Sequence, residues 1–558
     1  MIGILLFWLA FSPVPSVPVK PAAAQQEQLQ SQRELPVGTT EKIHERLDRL
    51  IQQKGPEGGS ERALFNIRLQ RFYAARGYQP VWAKRTMIAE LIAAVEESVD
   101  DGLDPADYHI KEIRQMYSKP PATPELAACY DVFLTDVFLT FAGHLRYGKV
   151  DPETLDTHWN VGHARNGSVI EHKLHNAIAT AQIATVLNEL RLQHPKYDML
   201  KKGLARYRTI EREGGWPVLA EGVKLQEGAR EKRVSMLRQR LKVSGDIAAL
   251  NTDTSTVYNR ELVEAVKRFQ KRNGMEIDGV VGASTIRVMN IPVARRIDEI
   301  RINLERCRWF LSDLEPTCIM VNIPSFNLQY VENGHQRWST RVIVGKPQRE
   351  TPLFKADMQY VILNPQWVIP PTILDKDALP ALRKSSSYLS RKNLKIIAQN
   401  GGVVAPASVN WSQYSAANFP YRLQQSSGDH GALGRIKFLL PNRYIVYLHD
   451  TPNKELFAER TRTFSSGCIR VQNPLDLAAL VLQDSVLWSK TKLHAAINTG
   501  KTRMVTLPKR IPVYILYLTA TDEGDELQFR DDVYNRDDQV LKALDKPLPL
   551  YKMDSCGL

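Results

Sequence analysis

The spacing of hydrophobic residues divides this chain into a helical first part and a second part of short strands. Residues 61–209 follow helical spacing, and the stretch from Tyr130 to His144 is apolar on most faces, which is typical of a buried helix. From Pro316 onward, runs rich in β-branched and aromatic residues alternate with turn residues. The pattern predicts a multi-domain α+β protein in which a mainly helical domain precedes a β-sandwich-like domain.

An insertion at residues 371–434 interrupts the predicted strands. It is too long for a plain loop and leans towards helix, so it predicts a separate helical subdomain. A helix with proline near its first turn is predicted at Asn473–Val481. The strands are predicted at Cys318–Pro324, Phe326–Val331, Arg341–Gly345, Gln359–Leu363, Ile436–Pro441, Arg443–Leu448 and Pro512–Leu518.

A small module of three helices is predicted between the two parts, at residues 229–295. Val263, Val266 and Phe269 follow helical spacing and are expected in its core, while Asp278-Gly279 marks a turn. The segment resembles peptidoglycan-binding modules. Two interpretations stay open, a module that binds glycan or stem peptide and one that serves only as a spacer.

One histidine and one cysteine have settings that suit nucleophilic catalysis. His449 follows the predicted strand Arg443–Leu448, and Cys468 follows Gly467, whose missing Cβ permits a tight turn and a close backbone approach. A neighbouring imidazolium lowers the pKa of a thiol and holds it as thiolate, so an ion pair would bring the pKa of Cys468 well below its usual ~8.5. The alternative is a small buried cysteine and a core histidine.

These residues resemble the signature of the L,D-transpeptidases with a YkuD-type catalytic domain: a histidine, a loop, then Ser/Thr-His-Gly-Cys-hydrophobic-Asn/Arg. Position by position, Cys468 corresponds to the nucleophile, His449 to the general base, Gly467 to the motif glycine and Arg470 to the Asn/Arg position. Asp450 is not expected to complete a triad, because successive strand residues point to opposite faces. A backbone carbonyl is expected to orient His449 instead.

The resemblance also implies substrate-binding positions. Ser465 corresponds to the motif Ser/Thr, and Ser466 replaces a second histidine, so the oxyanion would depend on backbone N–H groups near Gly467 and Cys468. Trp367 lies in a segment that resembles a cleft-lining element, where substrate contact and core packing are both open. Arg470 is expected either to bind a substrate carboxylate or to pair internally.

The domain order resembles a large periplasmic subgroup of this family, in which a helical capping subdomain is inserted into the catalytic domain. The predicted boundaries are a signal peptide at 1–24, a linker at 25–60, a helical scaffold domain at 61–228, the peptidoglycan-binding-like domain at 229–295, the catalytic domain at 316–500 with the capping subdomain at 371–434, and a C-terminal strand with a polar tail at 501–558.

The resemblance implies a reaction on peptidoglycan stem peptides. Cys468 would form a thioester with a donor tetrapeptide and release D-alanine, and the amine of a diaminopimelate acceptor would complete a 3→3 crosslink. Carbapenems are implied as covalent inhibitors, and other cell-wall synthases are open as partners. The alternatives are a cysteine peptidase or L,D-carboxypeptidase, and a non-catalytic peptidoglycan-binding protein.

The first residues predict export. An apolar run at Ile2–Phe11 precedes Ala22-Ala23-Ala24-Gln25, which has the pattern of a signal peptide and its cleavage site, although no basic residue comes before it. Periplasmic residence follows, with an uncleaved inner-membrane anchor as the alternative. The net charge of +13 then suits a carboxylate-rich polymer or proximity to a membrane, and no nucleic-acid partner is expected.

The cysteines predict no structural framework. The chain has five, at irregular spacing, which favours neither a disulfide network nor a zinc site. No disulfide, metal or cofactor is therefore expected. For two other histidines a non-catalytic position is favoured over a role in catalysis. His144 on the apolar helix is favoured as a core or helix-face residue, and His430 in the loop that ends the insertion is favoured as a solvated residue over a second active-site imidazole.

Overall fold

The computed structural model describes residues 35–52, 60–162, 167–248, 253–523 and 526–548. The N-terminal apolar run on which the export prediction depends, and Cys556, lie outside these ranges. The chain forms a helical scaffold, a three-helix module and a sheet-rich domain with an inserted subdomain, which confirms the predicted fold class.

The scaffold is built around one long buried helix, α5. Most residues of α5 are buried, and Phe133, Phe138 and Phe141 lie at the centre of the scaffold core. Among the described residues α5 is also long and apolar enough to cross a bilayer, but 83% of its most apolar window is buried inside the protein, as in a core helix. The scaffold helices are α1 Thr39–Gln52, α2 Ser60–Ala74, α3 Arg85–Glu96, α4 Ile110–Ser118, α5 Pro124–Tyr147, α6 Pro152–Leu155, α7 Gly167–Thr180, α8 Ile183–Leu190 and α9 Pro195–Arg212.

The three helices predicted for the small module are present as α10 Arg233–Val243, α11 Arg260–Arg272 and α12 Ala283–Met289. Val263, Val266 and Phe269 lie in its separate core, as expected from their spacing. Gln270 is buried and holds the following turn, since its side chain accepts from the Gly279 N–H at 2.8 Å and donates to Asp278 at 2.7 Å.

After this module the chain returns to the scaffold as α13 Val293–Phe310, which packs along α9. Arg308 and Glu305 of α13 are fully buried and form an ion pair at 2.6 Å. The guanidinium also donates to the Asp101 carbonyl at 2.8 Å and to the Tyr197 hydroxyl at 2.7 Å, while Glu305 accepts from the Val150 N–H at 2.7 Å. The pair therefore joins α13 to three other parts of the scaffold.

The second half of the chain forms one nine-stranded sheet that closes on itself. Its order is β11-β3-β12-β10-β9-β4-β13-β1-β2, and the long strand β3 pairs with β2 through its first part and with β12 and β11 through its last part. The strands are β1 Cys318–Asn322, β2 Asn327–Glu332, β3 His335–Gly345, β4 Phe354–Leu363, β9 Ile436–Leu439, β10 Leu448–His449, β11 Thr463–Ser465, β12 Ile469–Val471 and β13 Arg503–Leu516.

The inserted subdomain contains the predicted helices and, in addition, a small sheet that the sequence did not predict. A four-stranded sheet in the order β5-β8-β6-β7 forms one side of the subdomain. Its residues Leu394, Ile396 and Leu423 are buried in the separate small core of the subdomain. Strands of two to four residues carry too little periodicity to be recognised in a sequence. The strands are β5 Trp367–Val368, β6 Leu394–Ile397, β7 Val403–Val404 and β8 Arg422–Gln425, and the helices are α14 Pro371–Ile373, a π-turn Leu374–Ala378, α15 Leu379–Lys384 and α16 Ser387–Arg391.

The strand before His449 is shorter than predicted. Only Leu448 and His449 pair as a strand, and Ile445 has a φ of 58°, a conformation that strains a β-branched residue. The predicted helix after the cysteine is confirmed as α17 Pro474–Leu482, and α18 Lys490–Asn498 follows it.

Both predicted non-globular ends contribute to the scaffold. Helix α1 lies within the predicted linker, yet its Ile43 and Leu47 are buried in the scaffold core. The predicted polar tail contains α19 Asp537–Leu544, whose Val540 and Leu544 are buried in the same core, after the hairpin β14 Ala520–Glu523 and β15 Glu526–Phe529. Only two of the eight residues of α19 are buried apolar residues, so the composition of the segment did not reveal this packing.

The expectation of no disulfide is also wrong. Cys129 on α5 is disulfide-bonded, whereas Cys307, Cys318 and Cys468 are free. Irregular spacing does not exclude a disulfide between residues distant in the sequence, because the fold decides which cysteines meet.

The pair between Arg308 and Glu305 gives a test of scaffold stability. Glu305→Ala should lower the free energy of unfolding by about 3–5 kcal/mol, because it leaves a buried guanidinium without its counter-charge. Urea denaturation followed by circular dichroism measures this. Glu332→Ala removes an exposed pair with Arg337 and should cost less than about 1 kcal/mol; equal losses for the two variants would contradict the assignment.

Candidate active site

Strand pairing brings the predicted site residues onto one face of the sheet. His449 on β10 is paired with Arg470 on β12 at one side and with Lys437 on β9 at the other. Tyr447 and Cys468 directly precede these two strands, and the Tyr447 ring lies against the His449 ring and beneath the Lys437 ammonium group. Leu448, Ile469 and Phe438 point to the opposite face, where they are fully buried in the core.

His449 is oriented by a backbone carbonyl, as expected. Its Nδ1 lies 2.5 Å from the carbonyl oxygen of Asp450. A carbonyl oxygen only accepts, so Nδ1 carries the proton and Nε2 of a neutral ring is left as the basic nitrogen. Burial lowers the pKa of His449 to about 3, and the charges of Arg470, Lys437 and Lys454 act in the same direction. The ring is therefore neutral near pH 7.

The carboxylate of Asp450 points away from His449 and holds a neighbouring turn. It accepts from the Arg435 N–H at 2.8 Å and pairs with Lys454. Gly434 has a φ of +57°, and a Cβ there would come within 2.4 Å of the Asp450 carboxylate. Asp450 thus contributes its main chain to the site and its side chain to the turn at the end of the insertion.

The turn before the cysteine is fixed by hydroxyl groups. Ser465 is buried, and its Oγ donates to the Cys468 carbonyl at 2.5 Å and accepts from the Gly467 N–H at 3.1 Å. Thr351 donates to the Gly467 carbonyl at 2.8 Å, so the Cys468 N–H in the same trans peptide points the opposite way. Gly467 has a φ of 115°, which favours glycine. The Ser465 hydroxyl is therefore used within the turn. This differs from the sequence analysis, in which Ser465 was a substrate-binding position.

The geometry does not support a resting thiolate–imidazolium pair. Burial raises the pKa of Cys468, although Tyr447, Lys437 and Arg470 each counteract part of this effect. Since His449 is also neutral, the resting pair is a thiol beside a neutral base. The prediction of a strongly lowered thiol pKa is corrected, because it considered only the imidazole and not the burial of both groups.

Tyr447 is a site residue that the sequence interpretation missed. Its side chain is close enough to Cys468 for each group to affect the pKa of the other, and its ring packs edge-on against His449 at 5.6 Å between centroids. Trp367 is half-buried and contacts both the catalytic core and the core of the inserted subdomain. Alternation two residues before His449 is the sequence signal that identifies Tyr447.

Lys437 is the second residue that was missed. Its ammonium group lies 3.7 Å from the centroid of the Tyr447 ring, and its charge lowers the pKa of Cys468. Burial lowers the pKa of Lys437 itself, while the neighbouring thiolate raises it. Only the register of β9 against β10 places this lysine beside the site, and that register is not readable from the sequence.

Arg470 lies on the same face, with a half-buried side chain. Its Nε is buried without a hydrogen-bond partner, and among the residues the structure describes no carboxylate forms an ion pair with it. Burial lowers its pKa from the usual value for arginine. The internal ion pair considered from the sequence is thus absent from the described residues.

Arg349 connects the cysteine loop to the inserted subdomain. Both of its terminal nitrogens bind the carboxylate of Asp377 in the π-turn, with Nη2 at 2.7 Å, and Nη1 also donates to the Ser466 hydroxyl at 3.3 Å. The Arg349 guanidinium lowers the pKa of Asp377. Ser466 is exposed beside this pair, at the entrance to the cysteine loop.

The two other histidines considered from the sequence occupy the positions that were favoured for them. His144 on α5 shares a hydrogen bond with the Tyr108 hydroxyl at 3.0 Å, and His430 is exposed in the loop after β8. Within the described ranges no group of three or more His, Cys, Asp or Glu side chains is arranged to hold a metal ion.

Three segments match known protein families. Residues 316–514 match the YkuD L,D-transpeptidase catalytic domain. Residues 68–204 match a scaffold domain, and residues 230–289 match the family described as "Putative peptidoglycan binding domain". The first match includes the signature residues His449, Gly467, Cys468 and Arg470 and extends through most of β13.

A curated relative supports the same relationship. A protein of Haemophilus influenzae named "Putative L,D-transpeptidase" is 32% identical over 289 residues, which cover 51% of this chain and 57% of the relative. The matched segment thus spans little more than half the length of that relative. A crystal structure of an L,D-transpeptidase from Xylanimonas cellulosilytica covers 53% of this chain and 99% of its own, at 14% identity and a TM-score of 0.15, which is too low to carry an argument.

The catalytic-domain match coincides with the closed sheet, and the other two matches coincide with the scaffold and the three-helix module. The residues of the family signature lie on one face of that sheet, around a neutral histidine and a cysteine. The chain therefore contains a YkuD L,D-transpeptidase catalytic domain, a scaffold domain and a domain of the family described as "Putative peptidoglycan binding domain".

Proposed function

We propose that this protein is a periplasmic L,D-transpeptidase that forms 3→3 crosslinks through a thioester on Cys468. The observation that carries the proposal is the tautomer of His449, whose Nδ1 proton is held by the Asp450 carbonyl so that Nε2 is the free base on the face that carries Cys468. A neutral base next to a neutral thiol suits deprotonation at the moment of attack.

In the acylation step Cys468 Sγ attacks the carbonyl between the third and fourth residues of a donor tetrapeptide. The thiol proton passes to Nε2 of His449 and then to the nitrogen of the breaking amide, so D-alanine leaves as a neutral amine. The Cys468 N–H, directed away from Thr351 by the bond to the Gly467 carbonyl, is placed to donate to the oxyanion. One such donor contributes on the order of 3 kcal/mol to the transition state.

In the second step the amine of a diaminopimelate side chain attacks the thioester. His449 accepts a proton from the amine as the C–N bond forms, and Cys468 leaves as a thiol when that proton is returned to sulfur. The cost of ionising the buried thiol is offset in part by Lys437 and Arg470, whose charges lower its pKa. Both cations also suit the carboxylates of stem peptides, and we propose that Arg470, Trp367 and Ser466 contact substrate.

Domains that act on peptidoglycan imply a periplasmic or cell-wall location. We propose the periplasm, reached through the N-terminal apolar run, with retention as an uncleaved inner-membrane anchor as the alternative. The peptidoglycan-binding domain is proposed to hold the polymer near the catalytic domain. Gln270 is not proposed as a ligand-binding residue, because its amide holds the turn at Asp278.

Two alternative functions differ from the proposed one in the chemistry that follows substrate binding at Cys468. An L,D-carboxypeptidase would pass the thioester to water, and a non-catalytic binding protein would form no thioester. Incubation with purified tetrapeptide muropeptides separates all three, since a crosslinked dimer, a free tripeptide and unchanged substrate are resolved by chromatography and mass.

The first prediction concerns the nucleophile. Cys468→Ala should abolish both dimer and tripeptide formation while leaving the circular dichroism spectrum unchanged, because the side chain is half-buried at the end of a strand. Cys318→Ala is the matched control, since that thiol is free and buried far from the signature residues in sequence. Turnover retained by Cys468→Ala would remove this residue from the mechanism.

A second prediction concerns carbapenems. Their strained carbonyl should acylate Cys468 once per chain, because the lactam nitrogen stays tethered and cannot leave as D-alanine does. Burial raises the pKa of Cys307 and of Cys318 to about 12, so these two free thiols serve as internal references that should stay unmodified. Intact-mass spectrometry with peptide mapping gives the site; an adduct on Cys307 or Cys318 would show that the reactive residue is misassigned.

A third prediction concerns the thiol pKa. Lys437→Met should move the pH midpoint of Cys468 alkylation to higher pH, because it removes a cation that lowers the pKa of the thiol. Iodoacetamide rates across pH measure the midpoint, with Lys395→Met in the inserted subdomain as control. His449→Ala should shift it much less, since the imidazole is uncharged; a larger shift for His449→Ala than for Lys437→Met would indicate an ion pair instead.

A further inference from the structure

A surface loop next to the catalytic domain exposes apolar side chains within a strongly basic segment. Val486 and Leu487 are 71% and 62% exposed at the tip of the loop between α17 and α18. Trp488 follows them, half-buried, with the guanidinium of Arg503 4.7 Å from the centroid of its ring. We call the group Val486, Leu487, Trp488, Lys490, Lys492 and Arg503 the basic apolar patch.

The exposed tip is held in place by hydrogen bonds. Asp484 Oδ1 accepts from the N–H groups of Val486 and Leu487 at 2.9 and 2.7 Å, and the Asp484 carbonyl accepts from the Trp488 N–H at 2.8 Å. Lys492 Nζ donates to the Val486 carbonyl at 2.7 Å. The loop therefore presents its two apolar side chains from a defined turn and does not fold them inward.

Basic residues predominate in the sequence that follows Asp484. No Asp or Glu occurs between Asp484 and Asp522, while that interval holds six Lys or Arg side chains. All six are exposed, and Lys490 also pairs with Asp476 at 2.8 Å. The basic residues are Lys490, Lys492, Lys501, Arg503, Lys509 and Arg510.

We propose that the basic apolar patch binds an anionic phospholipid surface. Lysine and arginine side chains near such a surface are attracted by its negative potential, and an aromatic ring beside them suits the boundary between headgroups and acyl chains. Val486 and Leu487 would enter the acyl region, which gives the two exposed apolar side chains an apolar environment. A soluble polyanion would neutralise the lysines but leave these two side chains in water.

The patch is attached rigidly to the catalytic domain and is separate from its reactive groups. Asn364, the residue that ends the strand leading to the insertion, donates to the Ile497 carbonyl at 2.8 Å and to the Lys501 carbonyl at 3.2 Å. Thr502 donates back to the Asn364 carbonyl at 2.7 Å. A membrane bound at the patch would therefore orient the catalytic domain as a unit, whichever reaction that domain performs.

Vesicle flotation tests the proposal with the chain starting at Gln25, the mature form predicted from the sequence, so that the N-terminal apolar run is absent. The chain should float with vesicles of phosphatidylethanolamine and phosphatidylglycerol and not with vesicles of phosphatidylcholine. Val486→Ser with Leu487→Ser, and separately Lys492→Gln with Arg503→Gln, should each weaken binding by roughly tenfold. Val223→Ser with Lys224→Gln changes an equally exposed pair elsewhere and should have no effect.

Muropeptide turnover in solution should be the same for all of these variants, which separates a loss of lipid binding from misfolding or loss of activity. Equal binding of the apolar double variant and the unchanged chain would overturn the proposal, as would equal flotation with the two kinds of vesicle. Binding to purified sacculi but not to vesicles, lost in the patch variants, would also overturn it and assign the patch to the cell-wall polymer.

Discussion

The catalytic face depends on the two opposite contacts made by Asp450. Its main-chain carbonyl fixes the ring of His449, while its carboxylate holds the turn at Gly434 and Arg435 where the inserted subdomain returns to the sheet. A change in that turn is therefore transmitted through one residue to the tautomer of the base. The same strand alternation that removes the Asp450 carboxylate from His449 makes it available for this second contact.

The protonation of His449 and Cys468 follows from the burial of both side chains and from the nearby positive charges of Lys437 and Arg470. His449 lies between Arg470 and Lys437 in the pairing register, and a second positive charge on a buried imidazole would be unfavourable in this position. His449 and Cys468, the proposed base and nucleophile, are therefore both uncharged in this structure. Under the proposed mechanism this arrangement would keep Cys468 from being a permanent thiolate, while Lys437 and Arg470 would stabilise the thiolate formed during attack.

The sequence was sufficient for the domain order, the three-helix module and the pair of Cys468 and His449, because these depend on local spacing and on a specific motif. It was insufficient where pairing between distant strands decides the outcome. Lys437 and Tyr447 became site residues only through the registers of β9, β10 and β12. The burial of His449 and Cys468, which decides their protonation, could not be predicted from the sequence either. The short strands of the inserted subdomain and the disulfide at Cys129 were missed because they depend on contacts between distant segments.

The discontinuity of the scaffold core constrains when the chain acquires its final structure. Ile43 near one end and Leu544 near the other are buried in the same core, with the complete catalytic domain between them in the sequence. The N-terminal helices therefore cannot complete their packing until α19 has been synthesised. The catalytic sheet can close before then, whereas the scaffold keeps part of its apolar surface exposed, a state that is prone to aggregation and to binding by chaperones. A nonsense mutation that removes α19 would thus also disturb the packing of α1, because both helices contribute to the same core.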